Sequence, residues 1–412
     1  MQSRALAVAV ALALGATSFQ AAAAAPAGAA ASTAAAVAER DRQLDELKAQ
    51  LAQLQAQVAE LEERSDAQTD VNVNTQQAVD KLQETGAAVD GLAKLVNDTS
   101  ITGKAYVDLT HVEQASHGSD TSATGTGLDV KRFYFSVNHK FDDRWSANLT
   151  TDFNYVANDG ETNLFVKKAY VQGKFSDALV FRAGAADLPW VPFVENYYGF
   201  RYVENTLIDR LKFGTSADWG LHLGGNVGPG GRVNYAVSVV NGAGYKNPSR
   251  VKGMDFEGRI GFSPVKNVML ALGSYSGTLG KETETVDARH TANRLDFLAA
   301  YANGRTRLGV EYFRADDWNN VLSVPSDGAD GYSAWGSIGV GETMSLFARY
   351  DSADTSKDLD SSLRDTYYNV GLEYPVRKGL KVSAVYKHEH LTDDAAIDLE
   401  TNELGAWAEI SF

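Results

Sequence analysis

Cysteine is absent from the 412 residues, and methionine occurs only 4 times and proline 8 times. With no disulfides to staple it, the chain has to draw its stability from one large cooperative fold. Long apolar runs are missing as well. The longest, from Ala5 to about Gly15, is too short and too rich in alanine for a membrane-spanning helix, which needs about 20 apolar residues. Preceded by Arg4 and followed by small residues, it reads as a secretory signal over residues 1–25, cleaved near Ala25, with an alanine-rich linker over 26–36. An excess of positive charge is also lacking. The formal net charge is -15, and no basic cluster offsets it, which argues against nucleic acid as a partner. Catalytic signatures are missing too: there is no G-x-S-x-G element. His388-Glu389-His390 puts two histidines on one face of a strand without a third ligand nearby. No enzymatic activity, cofactor or metal is expected.

What the chain does contain is glycine and aromatics: 37 Gly, 18 Tyr and 17 Phe, at a mean hydropathy of -0.26. Strands whose apolar and polar residues alternate give this average, because the two faces cancel. Before the strands comes a different period. Leu44, Leu51 and Val58 fall at a positions of a heptad, and Leu47, Leu54 and Leu61 at d. The register continues through Ser65, Gln68, Asn72 and Thr75 to Val79, Leu82, Val89 and Val96. The seam is unbroken but polar in its middle. A lone helix of this length is marginal in water, so the spacing predicts a self-associating coiled coil over residues 37–98, with a buried Asn72 layer setting register. The alternative is a helix docked on another protein or only partly formed.

From Ile101 onward the period is two. Phe133, Phe135 and Val137 face one way while Arg132, Tyr134, Ser136 and Asn138 face the other. Sixteen such runs are expected, near 101–113, 128–140, 145–156, 164–175, 178–187, 218–228, 232–241, 251–264, 267–277, 291–303, 305–316, 331–341, 342–354, 364–376, 379–391 and 402–412. Tight links such as Ser176-Asp177 and Arg377-Lys378 alternate with long polar ones. An even number of strands with alternately short and long connections predicts an all-β fold, a 16-stranded antiparallel transmembrane β-barrel over residues 99–412. Such barrels lie in the outer membrane of Gram-negative bacteria, which puts the coiled coil in the periplasm. The segment Leu404 to Phe412, alternating and ending in an aromatic, looks like the strand by which such barrels are recognised for insertion.

One connection, from Leu188 to about Ala217, is far longer than the rest and carries Trp190, Phe193, Tyr197, Tyr198, Phe200, Arg201, Tyr202, Arg210 and Lys212. Long ordered loops of this kind are usually functional. Folded into the lumen it narrows the channel, with Trp190, Phe193, Arg201, Arg210 and Lys212 as the constriction residues; the alternative places it outward over a subunit interface. By alternation the pore-lining cations are Lys104, Arg132, Lys168, Lys174, Arg182, Arg232, Arg259, Arg294, Arg307, Arg349, Lys381 and Lys387. Against them stand Asp108, Asp152, Asp255, Glu257, Asp296, Glu311, Asp351, Glu373, Glu389 and Glu409. The lumen is thus near charge balance with a slight positive bias, and each cation is as well suited to a cross-lumen ion pair as to a solute.

The stretch VKRFYFSVNHKFDDRWSANLTTDF, followed by NLFVKKAYVQGKFSDALVFRAGAADLPWVPFVENYYGFRYVENTL, resembles the phosphate-selective porin O and P family. The likeness covers about Leu128 to Leu207. It implies a sixteen-stranded homotrimer passing small anions such as phosphate along lumen arginines and lysines, with Arg132, Lys168 and Arg182 as matching positions. The long coiled coil is similar instead to that of sugar porins, which implies a carbohydrate channel. A third expectation is an outer-membrane anchor tethering peptidoglycan through the coiled coil. Outer-membrane lipid and lipopolysaccharide are the expected surroundings.

Overall fold

Alternation commits one face of each strand to apolar surroundings, and an antiparallel sheet of such strands can satisfy every backbone group in a membrane only by closing on itself. The computed structural model describes residues 30–156, 161–394 and 396–412. The expected signal, residues 1–25, lies outside the described residues, as does the linker up to residue 29. Among the described residues, sixteen long strands form a single antiparallel sheet. They are β1 (Thr99–Ser116), β2 (Gly125–Lys140), β3 (Trp145–Val156), β4 (Glu161–Ser176), β5 (Leu179–Asp187), β6 (Ala217–Val227), β7 (Val233–Val240) and β8 (Asp255–Phe262). There follow β9 (Val268–Gly277), β10 (Ala292–Asn303), β11 (Thr306–Asp316), β12 (Gly328–Val340), β13 (Met344–Asp354), β14 (Arg364–Arg377), β15 (Leu380–Thr392) and β16 (Asp398–Ser411). A two-residue strand, Ser119–Asp120, lies in the first connection.

Each strand pairs with its neighbour in sequence, and β1 pairs with β16 from Lys104↔Ser411 to Ser116↔Leu399, so the sheet is a closed barrel. Phe412 extends the seam: Gly103 and Phe412 exchange backbone hydrogen bonds of 3.0 and 3.1 Å. A Cβ on Gly103 would fall 2.1 Å from the far end of the Phe412 ring, so any other residue there would turn that ring aside. Leu149, Ile260, Leu272, Leu295, Val310 and Leu372 are exposed on the outer wall, while Arg294, Glu311, Arg349 and Asp351 are buried inside.

Among the described residues the register shifts at four places, two of them beside turns at Lys174/Ser176 and Pro375/Arg377 and two within the strands. Opposite Tyr106 and Val107 stand Arg132 and Val130, so Lys131 is an extra residue in β2. Opposite Thr150 and Thr151 stand Lys168 and Val166, so Lys167 is extra in β4. Such an insertion shifts the facing of a strand by one residue. Lys131 and Arg132 therefore both turn inward, as do Lys167 and Lys168, where strict alternation assigns one of each pair to the lipid face.

The N-terminal unit is a helix, α1 (Ala30–Asp98). It starts seven residues before the expected Val37, because the intervening alanines are strong helix formers. Its apolar seam is bare along this single chain: Leu47 is 64%, Leu54 59% and Leu61 63% exposed.

Candidate functional site

The connection between β5 and β6 lies against the inner wall of the barrel. It contains two short helices, α2 (Val191–Tyr198) and α3 (Leu207–Arg210). Trp190 anchors its start: the backbone N–H donates to Glu257 at 2.9 Å and the indole Nε1–H to Glu311 at 2.9 Å. Aromatic contacts continue the seat, with Phe200 stacked on Phe347 at 4.1 Å and Phe213 against Phe313 at 5.0 Å. α3 is locked by Arg210, whose guanidinium reaches Asp351 at 3.1 Å, Asp365 at 2.6 Å and Glu389 at 2.5 Å.

Five wall cations grip the backbone of this loop. Arg259 donates to the Pro189 carbonyl at 2.8 Å, Lys131 to Val203 at 2.8 Å, Arg294 to Phe213 at 2.6 Å, and Arg349 to Asn205. Arg307 donates to the carbonyls of Asn196 and Tyr197 at 2.8 and 2.9 Å. It thereby closes the C-terminus of α2, where Gly199 takes a left-handed φ of 82°. Glu204 completes the seat, 3.8 Å from Lys131 and 3.2 Å from Lys387. Burial alone pushes its carboxyl up, but the two ammonium groups outweigh this and hold it below the ordinary glutamate range.

Several cations expected along the pore are therefore under the loop. Arg294 and Arg349 are buried against Asp296 (2.9 Å) and Asp351 (2.6 Å), and Lys387 against Glu204 and Glu403 (3.0 Å). Arg232 lies in the exposed turn between β6 and β7 rather than on the wall, and Lys174 pairs near a turn with Asp177 at 2.8 Å. Lys381 sits between Glu373 and Glu409 (3.2 and 3.6 Å), and Lys104 stands 3.9 Å from Glu409.

Cavities remain beside the loop. A cavity of about 410 Å³ is lined by Arg132, Lys167, Arg201, Lys212, Lys246, Lys281 and Arg294, against the two carboxylates Asp209 and Glu257. A second, of about 440 Å³, carries Lys104, Lys167, Lys168, Arg201, Asp187 and Glu195. Lys167, Arg201 and Ser216 line both cavities, so the two meet there. The Lys167 ammonium lies 4.5 Å from the centre of the Tyr134 ring and 3.2 Å from its hydroxyl. Arg201 is paired with Glu195 at 2.6 Å and Asp209 at 3.5 Å, and its Nη1 is buried without a hydrogen-bond partner. A third cavity, about 390 Å³, holds Lys174, Arg182 and Arg259; Arg182 donates to Gln172 at 2.8 Å.

Of the expected constriction residues, Arg201 and Lys212 line the first cavity, while Trp190 and Arg210 fix the loop to the wall. Phe193 lies under the Arg259 guanidinium, 3.6 Å from it. Lys131, Lys167, Lys246 and Lys281 escaped the sequence reading. A signal for the first two of these four was present in part: Lys131-Arg132 and Lys167-Lys168 are cation doublets within strands. A Lys or Arg on the lipid face at the midplane costs about 2–4 kcal/mol, so each doublet implied a bulge for Lys131 and Lys167. Lys246 and Lys281 come from loops, where no alternation applies.

A long loop between β5 and β6, folded inside a closed sixteen-stranded barrel, decides the architecture. The fold is that of an outer-membrane porin. The anion-selective porin from Comamonas acidovorans matches at 13% identity and TM-score 0.54, covering 76% of this chain and 99% of that one. The outer membrane channel DcaP of Acinetobacter baumannii matches at 12% identity and TM-score 0.54, covering 76% and 97%. In-vitro folded OmpT of Vibrio cholerae, in its trimer form, matches at 15% identity and TM-score 0.50, covering 76% and 99%. No protein-family model matches this sequence, and no curated protein does. The likeness to the phosphate-selective porins thus rests on the stretch from Leu128 to Leu207 alone.

Proposed function

We propose that the protein is a water-filled diffusion channel of a Gram-negative outer membrane and that it passes small anions, phosphate among them. The meeting of two cavities at Lys167, Arg201 and Ser216 carries this reading. A solute moving between them passes the Lys167 ammonium, which among the described residues has no carboxylate within ion-pairing distance, and the Arg201 guanidinium beside Glu195 and Asp209. The charges that balance the lumen overall are spent on seating the loop, so a tally of residues understates the positive field along these cavities. Fields of this kind raise the local concentration of counter-ions and set selectivity. The anion-selective Comamonas neighbour agrees with it.

Three subunits assemble in this reading, as in the trimer form of OmpT, and the bare heptad seam of α1 buries itself in a periplasmic coiled coil of the same copies. The arrangement leaves sugar transport and peptidoglycan tethering without a supporting observation in the barrel.

The test is the reversal potential of single channels in planar bilayers under a salt gradient, with phosphate as competitor. Anion preference, conductance steps in threes and block by phosphate are expected. Cation preference, or block by sugars and not by phosphate, would overturn it.

A further inference from the structure

We propose that the outer wall over β8–β10 seats an acyl chain of a phosphorylated lipid of the outer leaflet, with Arg250, Lys252 and Arg289 holding its headgroup. The inference rests on the reading that the barrel spans an outer membrane with its long loops outermost. It starts from register. Ser274 on β9 stands directly opposite Gly258 on β8, so two small residues coincide on the lipid-facing side. Larger apolar residues frame them: Leu272 pairs with Ile260 and with Phe297, and Phe297 pairs with Tyr312. The result is a dip of about 610 Å³ in the outer wall, lined by Gly258, Ile260, Leu272, Leu295, Phe297 and Tyr312 among others.

Crowding does not account for Gly258. A Cβ there would touch only the Phe256 ring, at 3.2 Å, whereas one on Gly220 would strike the Val239 carbonyl at 2.1 Å. The space is open towards the membrane, and lipid is what faces it. Gly258 lies three residues from the outer end of β8, about 10 Å along the strand, which places the dip at the depth of outer-leaflet acyl chains. Met254 and Phe256, 53% and 44% exposed, continue the apolar surface from the dip to the rim.

The rim supplies charge of the complementary sign. Of the long connections, 241–254 alone has no Asp or Glu, and it carries Arg250 and Lys252. Arg289 is exposed on the neighbouring connection, 278–291. Lys252 lies 2.8 Å from Asp287 and 3.7 Å from Glu282, at the surface, where such pairs contribute little. An apolar slot below a basic rim matches an amphiphile with a phosphate head. A bare phosphate would leave the slot empty, and a protein partner would not call for both halves.

The test uses the full-length protein, extracted in mild detergent, in native mass spectrometry with added lipid A, a diphosphorylated glycolipid. Two variants are compared with the wild type: Gly258→Leu with Ser274→Leu, which fills the dip, and Arg250→Gln with Lys252→Gln and Arg289→Gln. Each should lower the fraction carrying lipid at least fivefold while single-channel conductance stays unchanged. Lipid retention equal to the wild type in either variant would overturn the proposal, as would dissociation of the oligomer by the leucine pair, which would mark the dip as a protein contact. So would retention of inorganic phosphate in place of the lipid. A channel that binds lipid A but does not conduct would refute the function proposed above and leave this site standing.

Discussion

The two sides of the lumen are built from the same residue types and do opposite things with them. On the side of β10–β15, arginines and carboxylates face one another beneath the long loop: Arg294, Arg349 and Arg210 meet Asp296, Asp351, Asp365 and Glu389 at 2.9, 2.6, 2.6 and 2.5 Å. Over β1–β7, Lys167, Lys168 and Arg182 face cavities instead. A charge on the first side is a fastener, and on the second it is part of the field a solute meets. The comparison teaches that lumen charge cannot be summed around the ring, because a buried, fully paired group contributes little to the path of an ion.

Mutations that exchange these roles break the comparison. The largest effect is expected from Arg210→Ala, which leaves three carboxylates facing one another. Breaking a buried pair of this kind costs about 3–5 kcal/mol; the thermal midpoint should fall, and single-channel conductance should rise and become noisy as the loop detaches. Trp190→Phe removes only the indole donor to Glu311, a loss of about 1–3 kcal/mol, measurable as faster proteolysis of the loop at unchanged ion preference. Lys167→Gln should do the converse, lowering the anion-to-cation permeability ratio several-fold in reversal-potential measurements while leaving the thermal midpoint in place. Acid gives a smaller effect. Because the Glu204 carboxyl is held below its ordinary value, its contribution is complete above the unfolded value of about 4.3 and is lost as pH falls through the lowered one. Loss of this one contact should therefore add channel noise only below about pH 4, and Glu204→Gln should remove that acid component. Arg232→Gln, in the exposed turn, should change neither stability nor selectivity, and a shift in reversal potential would contradict its placement.

Most of the barrel was legible because its cause is local. Alternation and turn composition place all sixteen strands, with ends displaced by a few residues where loops encroach, as at β8, which runs from Asp255 to Phe262 within the expected 251–264. The helix is legible for the same reason, through its heptads. The inner chemistry was not, since two bulges reset the facing of β2 and β4. Nor does any sequence pattern mark a wall arginine that will find a backbone carbonyl rather than a solute. Arg307 as a helix cap and Arg182 as a cavity residue look alike until the loop is folded between them.

The grip on backbone carbonyls has a consequence for how this barrel can change. A carbonyl is present whatever the residue, so the contacts at Pro189, Val203, Asn205 and Phe213 do not depend on the side chains those positions carry. Position and lining are separately editable. Substitutions along the water-facing edge of the loop can retune which solutes are admitted without renegotiating where the loop sits, much as a window can be reglazed in a fixed frame.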